Sequence, residues 1–279
     1  MQPEDAPRSR EQAKQWKKER KLQAQRKAKE TASATAEAKA ARRPSPPPSV
    51  QLSKALAYIL RHGAEKEHLP VRPDGFIQVD AVLARPRVQK VPMMEEDTVR
   101  APTLEDIQAI VRDNDKKRFE LVEGAANSPT EPGTCWWIRA VQGHSLDQIT
   151  DLSHIPLTVE NVSSHLQALL PTSTSCQAIH GTNDEAWTQI EASQALRRMQ
   201  RNHIHLAKGV PGSSGVISGM RTSCTRLLYV NVSRALEDGV PFVVSSNGVI
   251  LTPGVGETGA LPLTYVECVT DAQGTHIWP

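Results

Sequence analysis

A proline-rich run at residues 42–48 divides this chain into two parts of different chemistry, and that division limits where a core can form. The first 48 of the 279 residues contain 13 Lys and Arg against 6 Asp and Glu, with Trp16 and Leu22 almost alone as large apolar side chains. Because so few apolar side chains cannot bury a core, we expect a disordered or transiently helical basic tail. The fold has to be built from about Ser49 onward.

Composition narrows the class of protein. The four cysteines have no short spacing, which rules out a zinc-ribbon pattern and a dense disulfide framework and favours a reducing compartment. No apolar run reaches the roughly 18 residues that a membrane span needs, and the N-terminus is too polar for a secretory signal. We expect a soluble intracellular protein of the cytoplasm or nucleus. A basic tail is attracted to RNA phosphates, but a solvated tail without a partner has the same composition.

Residues 49–145 predict one lobe in the order helix, strand, helix, helix, hairpin. Apolar residues recur at helical spacing over 52–60, and Gly63 is expected to end that helix as a left-handed cap. Residues 85–102 and 123–134 lack periodicity and are expected to be loops. This order of elements is that of a winged helix, a module that often binds nucleic acid, although a fold alone does not establish a function.

The second strand of the predicted hairpin leads into a polar, glycine-broken run. Arg139 lies on the face opposite Ile138, and Gln-Gly-His-Ser follows two residues later. We expect that run to leave the sheet as a loop, where Arg139, His144 and Ser145 converge on an anion.

Residues 146–174 are expected to connect this lobe to a second one at 175–279. The second lobe reads mainly as short strands, the last of them over 263–266, with a helix that Asn183 caps. We therefore expect an α+β protein whose second lobe is mostly antiparallel.

Six short motifs, in this order, resemble the NAD-dependent tRNA 2′-phosphotransferases. They are Leu60-Arg61-His62-Gly63, Ile138-Arg139-Ala140-Val141-Gln142-Gly143-His144-Ser145, His180-Gly181-Thr182, Arg201-Asn202-His203-Ile204-His205-Leu206, Gly219-Met220-Arg221 and Asn247-Gly248-Val249-Ile250-Leu251-Thr252. Taken singly, most have structural explanations: Arg61 and His62 compensate a helix dipole, and paired histidines are usually packing groups. Their joint occurrence over about residues 50–252 carries the resemblance.

The resemblance implies a winged-helix RNA lobe followed by an ADP-ribosyltransferase-like lobe. It implies that the enzyme removes the splice-junction 2′-phosphate of ligated tRNA and uses NAD⁺ as a co-substrate. The phosphate attacks C1″ of the nicotinamide ribose, nicotinamide leaves, and the ribose 2″-OH then attacks phosphorus. The products are 2′-OH RNA and ADP-ribose 1″,2″-cyclic phosphate. No metal is implied, and we expect a monomer.

The resemblance also implies roles for individual residues. The catalytic residues that hold the phosphate and stabilise its transfer are Arg61, His62, Arg139 and Arg221. His144 and Ser145 add to the RNA-phosphate site that Arg61, His62 and Arg139 form. The residues expected to bind NAD⁺ are His180, Gly181, Thr182, Arg201, His205 and Leu206.

One departure and two alternatives stay open at the sequence level. Ala207 stands where a serine is expected after the His-Leu pair, so one hydroxyl contact to NAD⁺ is missing. A mono-ADP-ribosyltransferase acting on terminal nucleic-acid phosphates shares the NAD⁺ lobe but leaves ADP-ribose on the RNA. A winged-helix binding protein without catalysis is the other alternative, and the presence of all four cationic residues argues against it.

Overall fold

The computed structural model of this chain describes residues 45–210, 213, 219–221 and 223–279. The predicted basic tail lies outside the described residues except for its last four positions, as do residues 215–218 before the Gly-Met-Arg motif. The compact unit of the described chain is Pro48–Pro279. Among the described residues, no helix is both long and apolar enough to pass through a bilayer.

The first half of this unit combines short helices with two small sheets. Its helices are α1 (Pro48–Tyr58), a π-helical turn that continues it (Ile59–Gly63), α2 (Val79–Leu83), α3 (Pro86–Gln89) and α4 (Leu104–Arg112). Its strands are β1 (Ile77–Gln78), β2 (Met93–Glu95), β3 (Thr98–Arg100), β4 (Phe119–Gly124) and β5 (Cys135–Ala140). Strands β1, β5 and β4 pair antiparallel in that order, and β2 pairs with β3.

Helical periodicity explains how α1 reaches the core. Leu52, Leu56, Ile59 and Leu60 are fully buried, because spacings of three and four residues put them on one side of the helix. The predicted cap of α4 is confirmed: the Asp106 carboxylate accepts a hydrogen bond from the Thr103 N–H at 2.8 Å. The predicted hairpin is also confirmed as β4 and β5.

Two predictions for this half are wrong. Gly63 is not a left-handed cap, since it closes the π-helical turn and the chain continues through a right-handed residue at Ala64. Glycine is required there for space: a Cβ would lie 2.5 Å from Cε1 of Tyr58. Residues 85–102 are not a plain loop, because α3 and the β2–β3 hairpin lie within them. Both elements are too short to show a period.

The second half is dominated by strands. Its strands are β6 (Ile155–Leu157), β7 (Gln177–Thr182), β8 (Ala195–Arg197), β9 (Ile204–Leu206), β10 (Arg226–Asn231), β11 (Phe242–Val244), β12 (Ile250–Thr252), β13 (Ala260–Pro262), β14 (Val266–Asp271) and β15 (His276–Trp278). Its helices are α5 (Val162–His165), α6 (Asp184–Ser193), α7 (Val232–Glu237) and a 3₁₀ turn (Leu263–Tyr265).

Eight of these strands form two four-stranded antiparallel sheets that share a core, and β8 pairs separately with β13. One sheet has the order β15-β14-β10-β7 and the other β6-β11-β12-β9. Both contribute buried aliphatic side chains to one cluster, among them Leu228, Val230, Leu206 and Ile250. Two backbone hydrogen bonds, each of 2.8 Å, join Ile179 and Ala207 and so connect the two sheets where β7 passes the end of β9. Every strand pair of the described chain is antiparallel, in agreement with the predicted α+β class.

The predicted strand over 263–266 is wrong in its position. Leu263–Tyr265 is a 3₁₀ turn, and the strand begins at Val266 and runs to Asp271. The stretch 146–174 divides between the two cores: Leu146 and Ile149 pack in the first, whereas Leu157, Val162 and Leu166 pack in the second. The two halves are therefore joined by packed chain, each of whose buried apolar residues belongs to one core or the other.

Candidate active site

The π-helical turn and the loop after β5 are hydrogen-bonded to each other. The Ser145 N–H donates to the Arg61 carbonyl at 3.0 Å, and the Ser145 hydroxyl lies 2.9 Å from Nδ1 of His62. Gly143 has a φ of +89°, and a Cβ there would lie 3.4 Å from Cζ of Arg61. The Arg-His motif and the Gly-His-Ser motif thus lie against each other in one structural unit.

The Arg61 side chain is half-buried, with two of its three guanidinium nitrogens inaccessible, and it forms no ion pair with a carboxylate of the described residues. Its Nε and Nη2 atoms are inaccessible and have no hydrogen-bond partner in the described part of the chain. Burial, then the charges of Arg201 and Arg118, lower the pKa of Arg61 to about 10. The group therefore stays charged at neutral pH. A buried cation that faces other cations is costly unless an anion binds it.

Further cations surround Arg61, and we call Arg61, Arg118, Arg201 and Arg221 the arginine cluster. Arg201 is exposed, yet partial desolvation and the charge of Arg221 lower its pKa. Desolvation also lowers the pKa of Arg118. None of the four forms an ion pair with a carboxylate of the described residues. Arg100 and Arg139, in contrast, are paired with Asp106 and Glu120. Four like charges without carboxylates make a site for a polyanion.

His62 is set to be neutral before an anion arrives. Desolvation lowers its pKa, and the charges of Arg201 and Arg61 lower it further. A neutral imidazole that bonds a serine hydroxyl through one nitrogen keeps the other nitrogen for a ligand. Binding of a dianion reverses the local sign of charge and so favours the protonated ring.

His144 is a buried residue of the loop that follows β5. The residue is 3% exposed, both ring nitrogens lack a partner in the described chain, and burial followed by Arg61 lowers its pKa to about 3. Its carbonyl accepts a hydrogen bond of 2.9 Å from the N–H of Asn202. His144 is thus a neutral residue that joins the two halves.

The histidines of the second half form a chain of contacts behind the arginines. His205 Nε2 lies 2.8 Å from the Gln142 side-chain oxygen, and His205 Nδ1 lies 3.0 Å from the His203 carbonyl. His180 Nδ1 lies 3.0 Å from the His205 carbonyl. Desolvation, then Arg201, lower the pKa of His205 to about 3. The ring of His180, a residue of β7 that was predicted to bind NAD⁺, is therefore held in place by the backbone of β9.

The end of β7 presents backbone groups away from its partner strand. Ile179 bonds Ala207 on one side of β7, whereas Thr182 accepts from Thr225 on the other, next to β10. Because backbone groups alternate along a strand, Gly181 directs its N–H and C=O to the same side as Ile179. Ala207, in place of the expected serine, uses both backbone groups in the bond to Ile179. Leu206, which was predicted to bind NAD⁺, is fully buried and pairs with Ile250 of β12.

Arg139 is directed elsewhere. Its Nε and Nη2 each lie 2.8 Å from the Glu120 carboxylate, its Nη1 donates to the Asp74 carbonyl at 2.9 Å, and its guanidinium lies 4.5 Å from the centre of the Phe76 ring. Among the arginines that were predicted to be catalytic, Arg139 is therefore the one that already forms an ion pair, with Glu120. The other predicted cations, Arg61 and Arg221, are in the arginine cluster.

Three residues of the site were missed by the sequence reasoning. Arg118 begins the approach to β4 in a Lys-Lys-Arg run, a composition that marks a basic surface but not its target. Gln142 and Asn202 lie within quoted motifs, and both make contacts between the two halves. No group of three or more His, Cys, Asp or Glu in the described ranges is arranged to hold a metal ion.

Comparisons with known proteins show the family to which the chain belongs. Residues 47–254 match the family described as RNA 2′-phosphotransferase, Tpt1 / KptA family. The chain is 41% identical to the tRNA 2′-phosphotransferase 1 of Mus musculus over 79% of this chain and 77% of that protein. It is 41% identical to the human protein of the same name over 79% and 75%. It is 35% identical to the tRNA 2′-phosphotransferase of Saccharomyces cerevisiae over 65% and 68%.

Proposed function

The chain belongs to the RNA 2′-phosphotransferase, Tpt1 / KptA family, and on that premise we propose that it removes an internal 2′-phosphate from spliced tRNA by transferring it to NAD⁺. The products are 2′-OH RNA, nicotinamide and ADP-ribose 1″,2″-cyclic phosphate. The observation that carries the proposal is the buried Arg61 guanidinium, which has two nitrogens without partners and other arginines around it. A phosphate dianion supplies the missing charge.

The first step needs little from the protein except placement. Nicotinamide leaves as a neutral molecule, so no acid has to protonate it. The attacking phosphate oxygen must be held in line with C1″ of the ribose, and bidentate arginines hold a phosphate in a fixed orientation. We assign that holding to Arg61, with Arg118 and Arg201 lowering the energy of the bound dianion.

The second step moves a proton and a phosphoryl group. The ribose 2″-OH attacks phosphorus, the RNA 2′-oxygen leaves, and that oxygen gains a proton. We assign the transfer of this proton to His62, because Ser145 contacts its ring and desolvation lowers its pKa before phosphate binds. Arg221 stabilises the phosphate oxygens as charge spreads over them.

The residues at the end of β7 fit a carboxamide such as that of nicotinamide. The Gly181 N–H and C=O point to one side and offer a donor and an acceptor together. His180 is steadied by the His205 carbonyl and lies beside them for a ribose hydroxyl. Arg201 is close to both histidines and suits a pyrophosphate. When bound, NAD⁺ supplies the electrophilic C1″ carbon.

We assign the residues around α1 to α4 and the β4–β5 hairpin to RNA binding as a winged helix, and the two larger sheets to an ADP-ribosyltransferase-like lobe. Arg139 is the member of the proposed phosphate set that must leave Glu120 before it reaches a ligand. The chain is proposed to act as a monomer.

A defined substrate tests the function. The protein is incubated with NAD⁺ and an oligonucleotide that carries one internal 2′-phosphate, and nicotinamide, RNA mobility and cyclic phosphate are followed together. Equimolar release of nicotinamide and dephosphorylated RNA supports the proposal. A stable ADP-ribosylated product on a 5′-phosphorylated oligonucleotide, with no action on the 2′-phosphate, would replace it with the terminal-phosphate reaction.

A further inference from the structure

A groove of about 670 Å³ runs from the arginine cluster along the surface between α1 and α4. Arg61 and Arg118 line it together with further residues of α1, α4 and the segment 113–118. That volume is in the range of sites that hold one or two nucleotide-sized groups. The proposed function assigns α1 to α4 to RNA binding in general, and of the residues that line this groove it gives an individual role only to Arg61 and Arg118.

The charge of the groove is positive once existing ion pairs are counted. Asp106 lies 2.6 Å from Arg100, and Asp113 lies 2.8 Å from Arg112, so these two acids are already neutralised. Asp115 is the remaining acid, without an ion pair to the described residues. Against it stand four cations that also form no ion pair there, a set made up of Lys54, Arg61, Lys116 and Arg118.

The walls also offer surfaces for bases and riboses. The lining also includes the apolar side chains of Val50, Met93 and Ile110, of which Val50 is 40% exposed and Ile110 is buried. The Asn114 side-chain oxygen lies 3.4 Å from Nη1 of Arg118 and orders that wall. A positively charged groove attracts the phosphate backbone of single-stranded nucleic acid.

We propose that this groove binds the RNA strand next to the 2′-phosphorylated nucleotide, with Lys54 and Lys116 as phosphate contacts. The inference rests on the proposed function for the identity of the strand. Lys116 is held in place because its carbonyl accepts a hydrogen bond of 2.9 Å from the Asn247 side chain of the β11–β12 turn. The wall that meets RNA is thereby tied to the sheet of the second half.

Substrates of two lengths test the groove. One is a dinucleotide with a 2′-phosphate, and the other is the same dinucleotide extended by three nucleotides on each side. We expect Lys54→Ala and Lys116→Ala to lower kcat/KM for the long substrate at least fivefold more than for the dinucleotide. The matched control is Lys90→Ala, because Lys90 is an exposed lysine of the same half that lies outside the groove. We expect this variant to have the same kcat/KM as the unaltered protein on both substrates.

Direct binding separates this proposal from the proposed function. The affinity of a fluorescent 2′-OH octanucleotide is measured against salt concentration, without NAD⁺. Each lysine substitution should reduce the slope of log K against log salt by about 0.7, the value for one lost single-strand phosphate contact. The proposal would be overturned if the lysine substitutions left the salt slopes unchanged or lowered kcat/KM equally for both substrates. Displacement of the RNA by a polyglutamate peptide of equal charge would also overturn it. Altered slopes without turnover of any 2′-phosphate would keep the groove and remove the reaction.

Discussion

The Arg61 guanidinium lies directly over the backbone of Gly143, at a place where no side chain is present to hold it away. Two features coincide at Gly143: a φ of +89°, and a closest approach of 3.4 Å between a Cβ built there and Cζ of Arg61. The position of the buried cation is therefore set by a glycine in another element.

Gly143→Ala should lower turnover, because alanine adopts the φ of +89° only with strain and the relieving backbone shift moves the loop that contacts the Arg61 guanidinium, which lies 3.4 Å from the new methyl group. The left-handed backbone adds a stability loss of about 1 to 2 kcal/mol. Gly274→Ala is the matched control, since Gly274 has a φ of +88° and nothing within 4 Å of its Cβ position. Single-turnover rates and urea denaturation measure both effects. Equal rates for the two variants would contradict the role of the Gly143–Arg61 contact.

Arg61→Met should separate function from stability. Removing a buried cation without a partner relieves desolvation, so the melting temperature stays the same or rises. Turnover should fall about a hundredfold or more, as expected for loss of one phosphate clamp. Differential scanning calorimetry and a turnover assay provide the two readouts. A variant that is both less stable and fully active would show that Arg61 is a structural group.

Arg139→Ala and Glu120→Gln together determine whether Arg139 reaches the phosphate. If Arg139 leaves Glu120 to bind it, Arg139→Ala lowers turnover about a hundredfold, whereas Glu120→Gln retains the arginine and most of the activity. Arg139→Ala also costs about 1 to 3 kcal/mol of stability, reduced from the value for a fully buried pair because Glu120 is 37% exposed. Similar small losses of turnover in both variants would confine Arg139 to a structural role.

Acid should destabilise the protein through its buried histidines. His144 and His205 have pKa values of about 3 when folded, below the value of about 6.5 that an unfolded chain gives them. The unfolded state therefore binds more protons below pH 6.5, so stability falls as the pH decreases from that value towards 3. Each histidine should cost about 1 kcal/mol by pH 5.5.

Urea denaturation at pH 7.5 and 5.5 measures this dependence. His205→Gln should remove part of the difference between the two pH values, because glutamine does not titrate. His276→Gln, at an exposed position, should leave the difference unchanged. A difference that is the same in all three proteins would assign the acid sensitivity to other groups.

His62→Ala and Arg221→Ala should stop the reaction after its first step. Nicotinamide leaves without their help, whereas transfer of the phosphoryl group needs a proton and charge stabilisation. RNA with ADP-ribose on its 2′-phosphate should then accumulate as a slower band in a gel time course. Substrate consumption without that band in either variant would disprove this division of roles.

The sequence predicted the elements whose pattern is local. The stripe over Leu52–Leu60 required a buried helix, and Thr103 with Asp106 required its cap, because both depend only on near neighbours. The resemblance also identified Arg61, His62 and Ser145, which the structure brings together. Elements of three or four residues such as α3 and β2 could not be predicted, since they are too short to carry a period.

Partners distant in the chain were beyond the reach of the sequence. Nothing local distinguishes Arg139, which finds Glu120 across a hairpin, from Arg61, which finds no carboxylate in the described chain. Arg118 became a site residue only because β4 begins beside the π-helical turn. Pairing of charges depends on register and on side-chain direction, and both are set when the sheets and cores assemble.

The π-helical turn that carries Arg61 and His62 gives the site an unusual dependence on chain length. A π turn contains about one residue more than an α turn, so it is equivalent to an α-helix that has acquired a single inserted residue. Loss of one codon within Ile59–Gly63 would restore the shorter spacing and rotate both side chains away from the anion. The direction of the Arg61 and His62 side chains therefore depends on the number of residues in the turn, and not only on which residues occupy it.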